Sequence, residues 1–455
     1  ASAADMWLNE GWATFCQMFY KNDVYSEAIY KVDMMYNLRE VLRNTHFIDG
    51  GYLALYGISH QYTYGSTVYD KGATVVQSLR AYLGDDVFFP AIQEYLNTYA
   101  YNYASSENMR DFLTSYTGVD MNDFFEAYVF TPGFSHFSVD SLHLVDGSTS
   151  DYQIHMKQKL KGKEVFADHN IVDVSLMDEN WNQHLVRVHF DGESGFETFD
   201  LPFQPIVSMV DVDRNFSDAT TDEVKVITEV GAYNFSDCYF QLEVESIVDS
   251  SYFRVTHNWV APDDLNPPVE GLTLSDYRYY SIEGILPSSL QATGVFRYSI
   301  SSKLDHTLLG NPLDSLIILY RPDASHNWSA IPFERDGTPF IGYLRVPNIQ
   351  TGDYTLAIWD EQFVIIHEDI KLTPEDYLQC YPTPSTGRVF FELILKEEAQ
   401  LEIYDTTGKK IDTILLQANQ ESAKWDGRKM PRGTYFVKLM SKKGKELSQQ
   451  KIILQ

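Results

Sequence analysis

The first residues to consider for chemistry are one acidic residue and two tyrosines near the beginning of the chain. Glu10 lies in the string Trp-Leu-Asn-Glu-Gly at residues 7–11, at the start of an apolar segment typical of a helix. A carboxylate there interacts favourably with the helix dipole, and a carboxylate is also a possible zinc ligand. Tyr64 and Tyr69 lie in a second string, Tyr-Gly-Ser-Thr-Val-Tyr-Asp-Lys-Gly-Ala at residues 64–73. Taken alone, this string indicates a helix start with a buried tyrosine.

The rest of a metal site is missing from the sequence. None of the twelve histidines forms a His-Glu-x-x-His pattern, in which the two histidines share one helical face. The closest pair, His184 and His189, is five residues apart in a strand-like segment. The three cysteines, Cys16, Cys238 and Cys380, are too widely spaced for a zinc knuckle or a disulfide framework. One carboxylate cannot hold a catalytic zinc, which takes three protein ligands.

The Trp-Leu-Asn-Glu-Gly string, followed by small and aromatic residues, resembles the second zinc-ligand helix of the aminopeptidase N family. In that family a His-Glu-x-x-His helix supplies two ligands and a general base, and a glutamate about twenty residues later completes the site. The resemblance implies that Glu10 is the third zinc ligand. Zinc in such a site lowers the pKa of a bound water and polarises the scissile carbonyl.

The second string resembles the Tyr-Glu-Lys-Gly motif of the same family, with Asp70 in place of the glutamate. The resemblance implies that Tyr69 donates a hydrogen bond to the tetrahedral oxyanion, where negative charge develops. It implies a weaker supporting role for Tyr64. The shorter aspartate arm leaves open whether Asp70 contacts Lys71.

Two parts of the family's site have no counterpart here: the two zinc histidines and the Gly-x-Met-Glu-Asn motif that binds the substrate amine. We expect that the sequence lacks an N-terminal portion of the protein, in preference to a naturally degenerate homologue. The chain as given is therefore expected to show no peptidase activity with added zinc. Exopeptidase specificity follows from the resemblance alone.

The elements that must position these residues are predicted from the periodicity of apolar residues. Helical spacing runs through residues 1–133, and one stripe ends at Gly84, where a helix C-cap belongs. Beyond Gly133 the polar and apolar residues alternate, which is typical of antiparallel strands with one solvent face. The pattern and the resemblance together predict a multidomain α+β protein. It would consist of the helical half of a thermolysin-like catalytic domain followed by β-sandwich domains.

Four domains are predicted from changes in composition. The Pro-rich stretch 261–268 is the best linker candidate. From about residue 373 the charge changes, because this segment has 13 Lys and Arg against 11 Asp and Glu in a chain whose net charge is −29. The predicted domains are residues 1–133, 134–265, 266–372 and 373–455.

The last predicted domain resembles the C-terminal sorting domain of type IX secretion substrates. The resemblance rests on Tyr-Pro-Thr-Pro-Ser-Thr-Gly at 381–387, Trp-Asp-Gly at 425–427 and the lysine-containing C-terminus, with Thr383 replacing the usual asparagine of Pro-Asn-Pro. It implies recognition by the type IX machinery and export to the cell surface or medium of a Gram-negative bacterium. A generic small β-domain is the alternative, since its glycines are also ordinary turn residues.

The composition of the chain argues against two kinds of binding partner, nucleic acid and the membrane interior. A net charge of −29 argues against nucleic acid, whose phosphates need a basic surface. The sequence contains no run of 18 or more apolar residues, so it predicts no transmembrane helix. The leading hypothesis is an exported zinc-dependent aminopeptidase acting on the N-termini of peptides. The alternative is a non-catalytic, surface-attached β-sandwich binding protein that retains a degenerate peptidase remnant.

Overall fold

The computed structural model describes residues 2–301, 303–309, 315–360, 377–381, 385, 387–394, 397–418, 420 and 422–454. The chain forms two compact units, Ala1–Ile365 and Ile366–Gln455. The boundary predicted at residue 372 and the Thr383 position lie outside the described residues. Helices and antiparallel sheets both occur, which confirms the predicted α+β class.

Helices occupy the chain up to Phe130. The α-helices are α1 (Glu10–Val24), α2 (Glu27–Glu40), α3 (His46–Ile48), α4 (Gly72–Leu83), α5 (Asp85–Thr98), α6 (Ser106–Thr117) and α7 (Asn122–Phe125). Short 3₁₀ segments cover Ala3–Leu8 and His60–Tyr62, and π-type turns cover Val41–Thr45, Thr67–Lys71 and Glu126–Phe130. The predicted end of α4 is confirmed, because Gly84 follows it with φ of 75°.

A single aromatic-rich core holds these helices together. It contains Trp7 and Phe15 from the first helical segments, Val68 and Leu79 from the segment around α4, and Phe125 from the last helix. All five side chains are buried. Burying a large apolar side chain contributes about 1.5–3 kcal/mol, so this core fixes how the first segment sits against α4.

The first β-sandwich follows at once. Its strands are β1 (Phe134–Leu144), β2 (Asp151–Lys161), β3 (Asn170–Met177), β4 (Gln183–Phe190), β5 (Ser194–Asp200) and β6 (Val207–Val210). They form two three-stranded sheets, in the orders β1-β2-β5 and β4-β3-β6. A β-bulge interrupts β1 between Val139 and Ser141 and leaves Asp140 outside the strand register.

The second β-sandwich is built from one seven-stranded and one five-stranded sheet. Its strands are β7 (Thr220–Ile227), β8 (Gly231–Phe235), β9 (Phe240–Ser246), β10 (Ser251–Asn258), β11 (Leu272–Leu274), β12 (Tyr279–Ile285), β13 (Gln291–Ser299), β14 (Ser315–Arg321), β15 (Ser329–Ala330), β16 (Glu334–Gly337), β17 (Ile341–Pro347) and β18 (Gly352–Trp359). The orders are β15-β14-β18-β12-β10-β7, with β11 on β18, and β16-β17-β13-β9-β8.

The domain boundary predicted between residues 265 and 266 is wrong as a division between sheets. Strand β10 ends before the proline-rich stretch and β12 follows it, yet the two pair over seven residues from Tyr252–Ile285 to Asn258–Tyr279. Strand β10 also pairs with β7 on its other side. The stretch is therefore a connection within one sheet, and the change of sandwich falls earlier, between β6 and β7.

The helical region and the second sandwich share a small core. Leu38, Val41 and Leu42 from the helices pack with Trp259 and Tyr277 from the sandwich. The first unit is thus continuous from the helices through both sandwiches.

The second unit is a small two-sheet structure of its own. Its strands are β19 (Tyr377–Tyr381), β20 (Arg388–Ile394), β21 (Ala399–Asp405), β22 (Lys410–Leu416), β23 (Ser422–Asp426), β24 (Gly433–Ser441) and β25 (Glu446–Leu454). They form the sheets β19-β20-β23 and β22-β21-β24-β25 around a core that includes Phe391, Leu401, Trp425 and Val437. Across the described parts of both units, we find no helix with the length and apolarity needed to cross a membrane.

Candidate active site in the helical region

Two glycines, one from each sequence motif, set the distance between the helices that carry the candidate residues. A Cβ atom on Gly11 would lie 2.9 Å from the Gly72 Cα and 2.9 Å from the Val68 carbonyl oxygen. A Cβ atom on Gly72 would lie 2.9 Å from the Gly11 Cα. Side-chain carbons do not occur so close to a neighbouring backbone, so only glycine allows α1 to cross the start of α4 here.

This crossing brings Glu10 and Tyr69 together. Glu10 precedes Gly11 by one residue, and Tyr69 precedes Gly72 by less than one helical turn. Partial burial raises the pKa of the Tyr69 hydroxyl, and a hydrogen bond to the Glu10 carboxylate with its negative charge raises the pKa further. Asn9 Nδ2 also donates to Glu10 Oε1 at 3.1 Å. The carboxylate therefore accepts a hydrogen bond from Asn9 and lies close to the predicted catalytic tyrosine.

Tyr64 lies at the solvent edge of the same cluster. Its side chain is 70% exposed, and it is near enough for its charge to contribute to the raised pKa of Tyr69. Three predicted site residues, Glu10, Tyr69 and Tyr64, thus lie in one cluster although they come from strings more than fifty residues apart. Their roles remain predictions.

A buried aspartate, Asp49, holds the turn that carries Tyr69. Asp49 Oδ2 accepts hydrogen bonds from the Thr67 backbone nitrogen and from Thr67 Oγ1, both at 2.7 Å. A Cβ atom on Gly65 would lie 2.5 Å from Asp49 Oδ1, so this glycine makes room for the carboxylate. Asp49 therefore holds the first turn of the Thr67–Lys71 segment and with it the position of Tyr69.

Asp70 and Lys71 do not pair with each other. Burial raises the pKa of the Asp70 carboxyl, and the nearby Ser66 side chain opposes that rise. Lys71 points into the protein, where its Nζ donates to the Leu53 carbonyl at 3.2 Å and to the Gly133 carbonyl at 2.9 Å. Burial and the nearby charge of Lys163 lower the pKa of Lys71 to about 7. The contact that the sequence left open is therefore absent, and Lys71 connects the helices to the entry of β1.

The segment before Glu10 is anchored on α6. Asp5 is 4% exposed, and its Oδ1 accepts hydrogen bonds from the Ser106 backbone nitrogen and Oγ, both at 2.8 Å. Trp7 Nε1 donates to Ser106 Oγ at 2.9 Å. These contacts fix the start of α1 and therefore the direction of the Glu10 side chain.

The donor set of this chain does not by itself fit a catalytic zinc. Glu10 is the one candidate ligand from the motifs, and the described ranges contain no group of three His, Cys, Asp or Glu residues arranged to hold a metal ion. A catalytic zinc takes three protein ligands, usually including histidine. The cluster can supply one carboxylate ligand and phenolic hydrogen-bond donors, and the remaining ligands must come from outside it.

Sequence reasoning missed the residues that position the site. Gly11, Gly72 and Asp49 touch no reacting group, yet they determine where Glu10 and Tyr69 stand. The signal that could have found the glycines was present, because an isolated glycine inside a helical pattern often marks a close backbone approach. No local pattern marks Asp49.

Comparisons with known proteins give matches at both ends of the chain. Residues 2–128 match the Peptidase family M1 domain, and residues 379–455 match a secretion system C-terminal sorting domain. Probable aminopeptidase 1 of Sulfurisphaera tokodaii is 25% identical over 154 residues, which are 32% of this chain and 19% of that protein. Tricorn protease-interacting factor F2 of Thermoplasma volcanium is 31% identical over 139 residues, which are 29% of this chain and 17% of that protein.

Among solved structures, the Legionella pneumophila aminopeptidase A complex with aspartic acid aligns with 48% of this chain and 24% of its own. The sequence identity is 15% and the TM-score is 0.37. This chain spans less than a fifth of the length of the two curated relatives.

The helical region thus carries a match to the Peptidase family M1 domain over residues 2–128, and residues 379–455 match a secretion system C-terminal sorting domain. Both predicted resemblances are confirmed.

Proposed function

We propose that this chain is part of an exported zinc-dependent aminopeptidase that releases N-terminal residues from peptides. In this proposal Glu10 is the third zinc ligand, and the two histidine ligands belong to a His-Glu-x-x-His helix that this sequence lacks. The observation that carries the proposal is the meeting of Glu10 and Tyr69 across the Gly11–Gly72 contact. The glycine contact supports the proposal because it brings a carboxylate and a phenol from distant parts of the sequence close to each other.

Tyr69 acts in this proposal as the hydrogen-bond donor to the oxyanion. A tyrosine hydroxyl is protonated at neutral pH, and the raised pKa of Tyr69 is compatible with the donor role. Removing one such donor lowers turnover by about 10²–10³-fold in other acyl-transfer enzymes. Tyr64 is the weaker supporting donor at the solvent edge. Zinc, when bound, would supply an activated water and polarise the carbonyl.

The chain by itself is proposed to be inactive. Its sequence contains no His-Glu-x-x-His string, so neither the two nitrogen ligands nor the general base of that helix is available. The sorting domain supports export by the type IX route, to the surface or medium of a Gram-negative bacterium.

The decisive experiment is to sequence the coding DNA upstream of Ala1 and to express the longer product. An in-frame His-Glu-x-x-His string ending about eighteen residues before Glu10 supports the enzyme. A start codon and signal peptide without that string would overturn it and favour the non-catalytic binding protein instead.

Two variants of the longer product then test the roles. Glu10→Ala should strongly weaken zinc retention, measured as bound metal after dialysis. Tyr69→Phe should keep the zinc and lower the turnover of an aminoacyl-arylamide by about 10²-fold or more. Tyr20→Phe is the matched control, because Tyr20 is a 65% exposed tyrosine on α1 away from the pair. Unchanged zinc in the first variant, or near-normal turnover in the second, would remove the role assigned to that residue.

A further inference from the structure

A cavity of about 310 Å³ lies between the two β-sandwiches of the first unit. One wall comes from β1 and β6, and the opposite wall comes from β7, β10, β12 and the ends of β14 and β18. Its volume is at the lower end of the range of small-molecule sites, which is about 300–1,000 Å³. None of its lining residues belongs to the helices that carry the candidate active site.

The charged groups of the cavity lining are mostly acidic. Five carboxylates and two guanidinium groups line it. Lys157 and Lys159 both pair with Asp263 from outside the lining, so these nine side chains carry a formal charge of −1. The carboxylates are those of Asp140, Asp263, Glu283, Asp323 and Asp353. A cavity of this charge attracts a cation and repels an anion.

Both arginines of the lining already donate to carboxylates. Arg321 donates to Asp263 Oδ2 at 2.7 Å and to Asp353 Oδ2 at 2.9 Å. Arg254 donates to Glu283 Oε2 at 2.9 Å, and its other nitrogens donate to Asp222 and a backbone carbonyl. An anion entering the cavity would have to break one of these charge-assisted bonds, which are among the strong hydrogen bonds of proteins.

Asp140 differs from the other four carboxylates. Asp263, Glu283 and Asp353 are paired with arginines, and Asp323 accepts hydrogen bonds from its own turn at Ser325. Asp140 has no hydrogen bond or ion pair within the described part of the chain. Its place on the β1 bulge takes its side chain out of the strand register and to the cavity. Bulges that redirect one side chain are common next to functional sites.

A second polar group faces the cavity without a partner. Tyr279, at the start of β12, is 3% exposed, and no described residue forms a hydrogen bond with its hydroxyl. Burial raises the pKa of this hydroxyl, and the charges of Asp353, Asp263 and Asp140 raise it further, so the phenol lies among the cavity's carboxylates. The hydroxyl oxygen itself is not fully enclosed by protein atoms, so a ligand in the cavity can reach it.

We propose that this cavity binds a small organic cation whose ammonium or guanidinium N–H groups donate to the Asp140 carboxylate and to the Tyr279 hydroxyl oxygen. A cation with several N–H groups can donate to both unpartnered acceptors at once and offsets the remaining negative charge of the lining. A metal ion fits less well, since no three metal-ligating side chains converge within the described ranges.

The test is isothermal titration calorimetry of the 455-residue chain with butylammonium, methylguanidinium, tetramethylammonium and acetate. The two cations with N–H groups should bind, whereas tetramethylammonium, which has no N–H donor, and acetate should not. Asp140→Asn should weaken binding about ten-fold or more, because the hydrogen bond from the cation then goes to a neutral amide oxygen in place of a charged carboxylate. Tyr279→Phe should weaken it by about two- to ten-fold. Asp146→Asn, an exposed carboxylate in the turn after β1, is the matched control and should leave binding unchanged.

Two sources of the cation are separated by a further titration with N-acetyl-lysinamide. Binding of this compound as tightly as butylammonium supports a basic side chain presented by a peptide, and its exclusion supports a free amine. The proposal is overturned if neither N–H cation binds, if tetramethylammonium binds equally well, or if neither Asp140→Asn nor Tyr279→Phe changes the affinity. Tyr279→Phe deletes only an unpartnered oxygen, so it decides the matter even if Asp140→Asn fails to fold.

Discussion

The helical crossing and the second β-sandwich hold their key residues in opposite ways. At the crossing, Gly11 and Gly72 let two backbones touch, and no charged pair is needed to place Glu10. In the sandwich, Arg278 and Asp305 form a fully buried ion pair, with 0% exposure of either side chain. The helix crossing depends on the lack of a side chain at Gly11 and Gly72. The sandwich depends on a carboxylate that balances the buried Arg278 charge. Each is therefore broken by a different kind of substitution.

The largest effect is expected from breaking the buried ion pair. Asp305→Ala leaves the Arg278 guanidinium buried without its carboxylate, which costs about 3–5 kcal/mol. Hydrogen exchange measured by mass spectrometry should show faster exchange across β12 and β13. Glu27→Ala is the control, because its pair with Lys31 is exposed and such pairs contribute about 0–1 kcal/mol. Equal effects of the two substitutions would contradict the contrast.

The next effect is expected from filling the helix crossing. Gly72→Ala places a methyl group 2.9 Å from the Gly11 Cα, and overpacking of this kind costs about 1–3 kcal/mol. Faster hydrogen exchange should appear in α1 and α4 and spare β12 and β13. Gln17→Ala, on the exposed face of α1, should change stability by less than about 0.5 kcal/mol. Unchanged exchange in α1 and α4 would show that the crossing tolerates a side chain.

A pH dependence of stability is expected from Lys71, which connects the helices to the entry of β1. Its pKa is about 7 in the folded protein against 10.5 for an ordinary lysine, so the unfolded chain binds more protons between these values. The free energy of unfolding should therefore rise with pH from about 7 to 10.5, and Lys71→Met should reduce that slope by up to about 1.4 kcal/mol per pH unit. Urea unfolding at several pH values measures it. Lys31→Met is the control, because the acidic partners of this half-exposed lysine raise its pKa. This variant should keep the pH dependence of unfolding between pH 7 and 10.5.

The smallest effect is expected at the Glu10–Tyr69 pair itself. Glu10→Gln removes the negative charge that helps raise the pKa of the Tyr69 hydroxyl, so this pKa should fall. NMR titration of tyrosines labelled at the ring carbon that bears the hydroxyl measures the change, with Tyr69→Phe to assign the signal. The signal of Tyr20, 65% exposed on the same helix, should not move. An unmoved Tyr69 signal would mean that the two groups do not interact in solution.

Features set by neighbouring residues could be predicted from the sequence, whereas features set by contacts between distant segments could not. Glu10, Tyr64 and Tyr69 lie in short strings, so their identity was readable from neighbouring residues. The strand pairing was not, because turn signals show where a strand ends and not which strand it joins. This is why the proline-rich stretch 261–268 suggested a domain boundary although β10 and β12 pair across it. The bulge at Asp140 and the partnership of Asp49 with Thr67 likewise depend on contacts between distant segments.

The inward direction of Lys71 has a consequence for the packing of the helical region. Half of the Tyr-Asp-Lys-Gly string serves folding, since Lys71 ties the Leu53 carbonyl to Gly133 and Gly72 permits the crossing. Only Tyr69 faces the Glu10 carboxylate. Substitution of Lys71 or Gly72 should therefore loosen the helical region, whereas Tyr69→Phe should leave its packing unchanged.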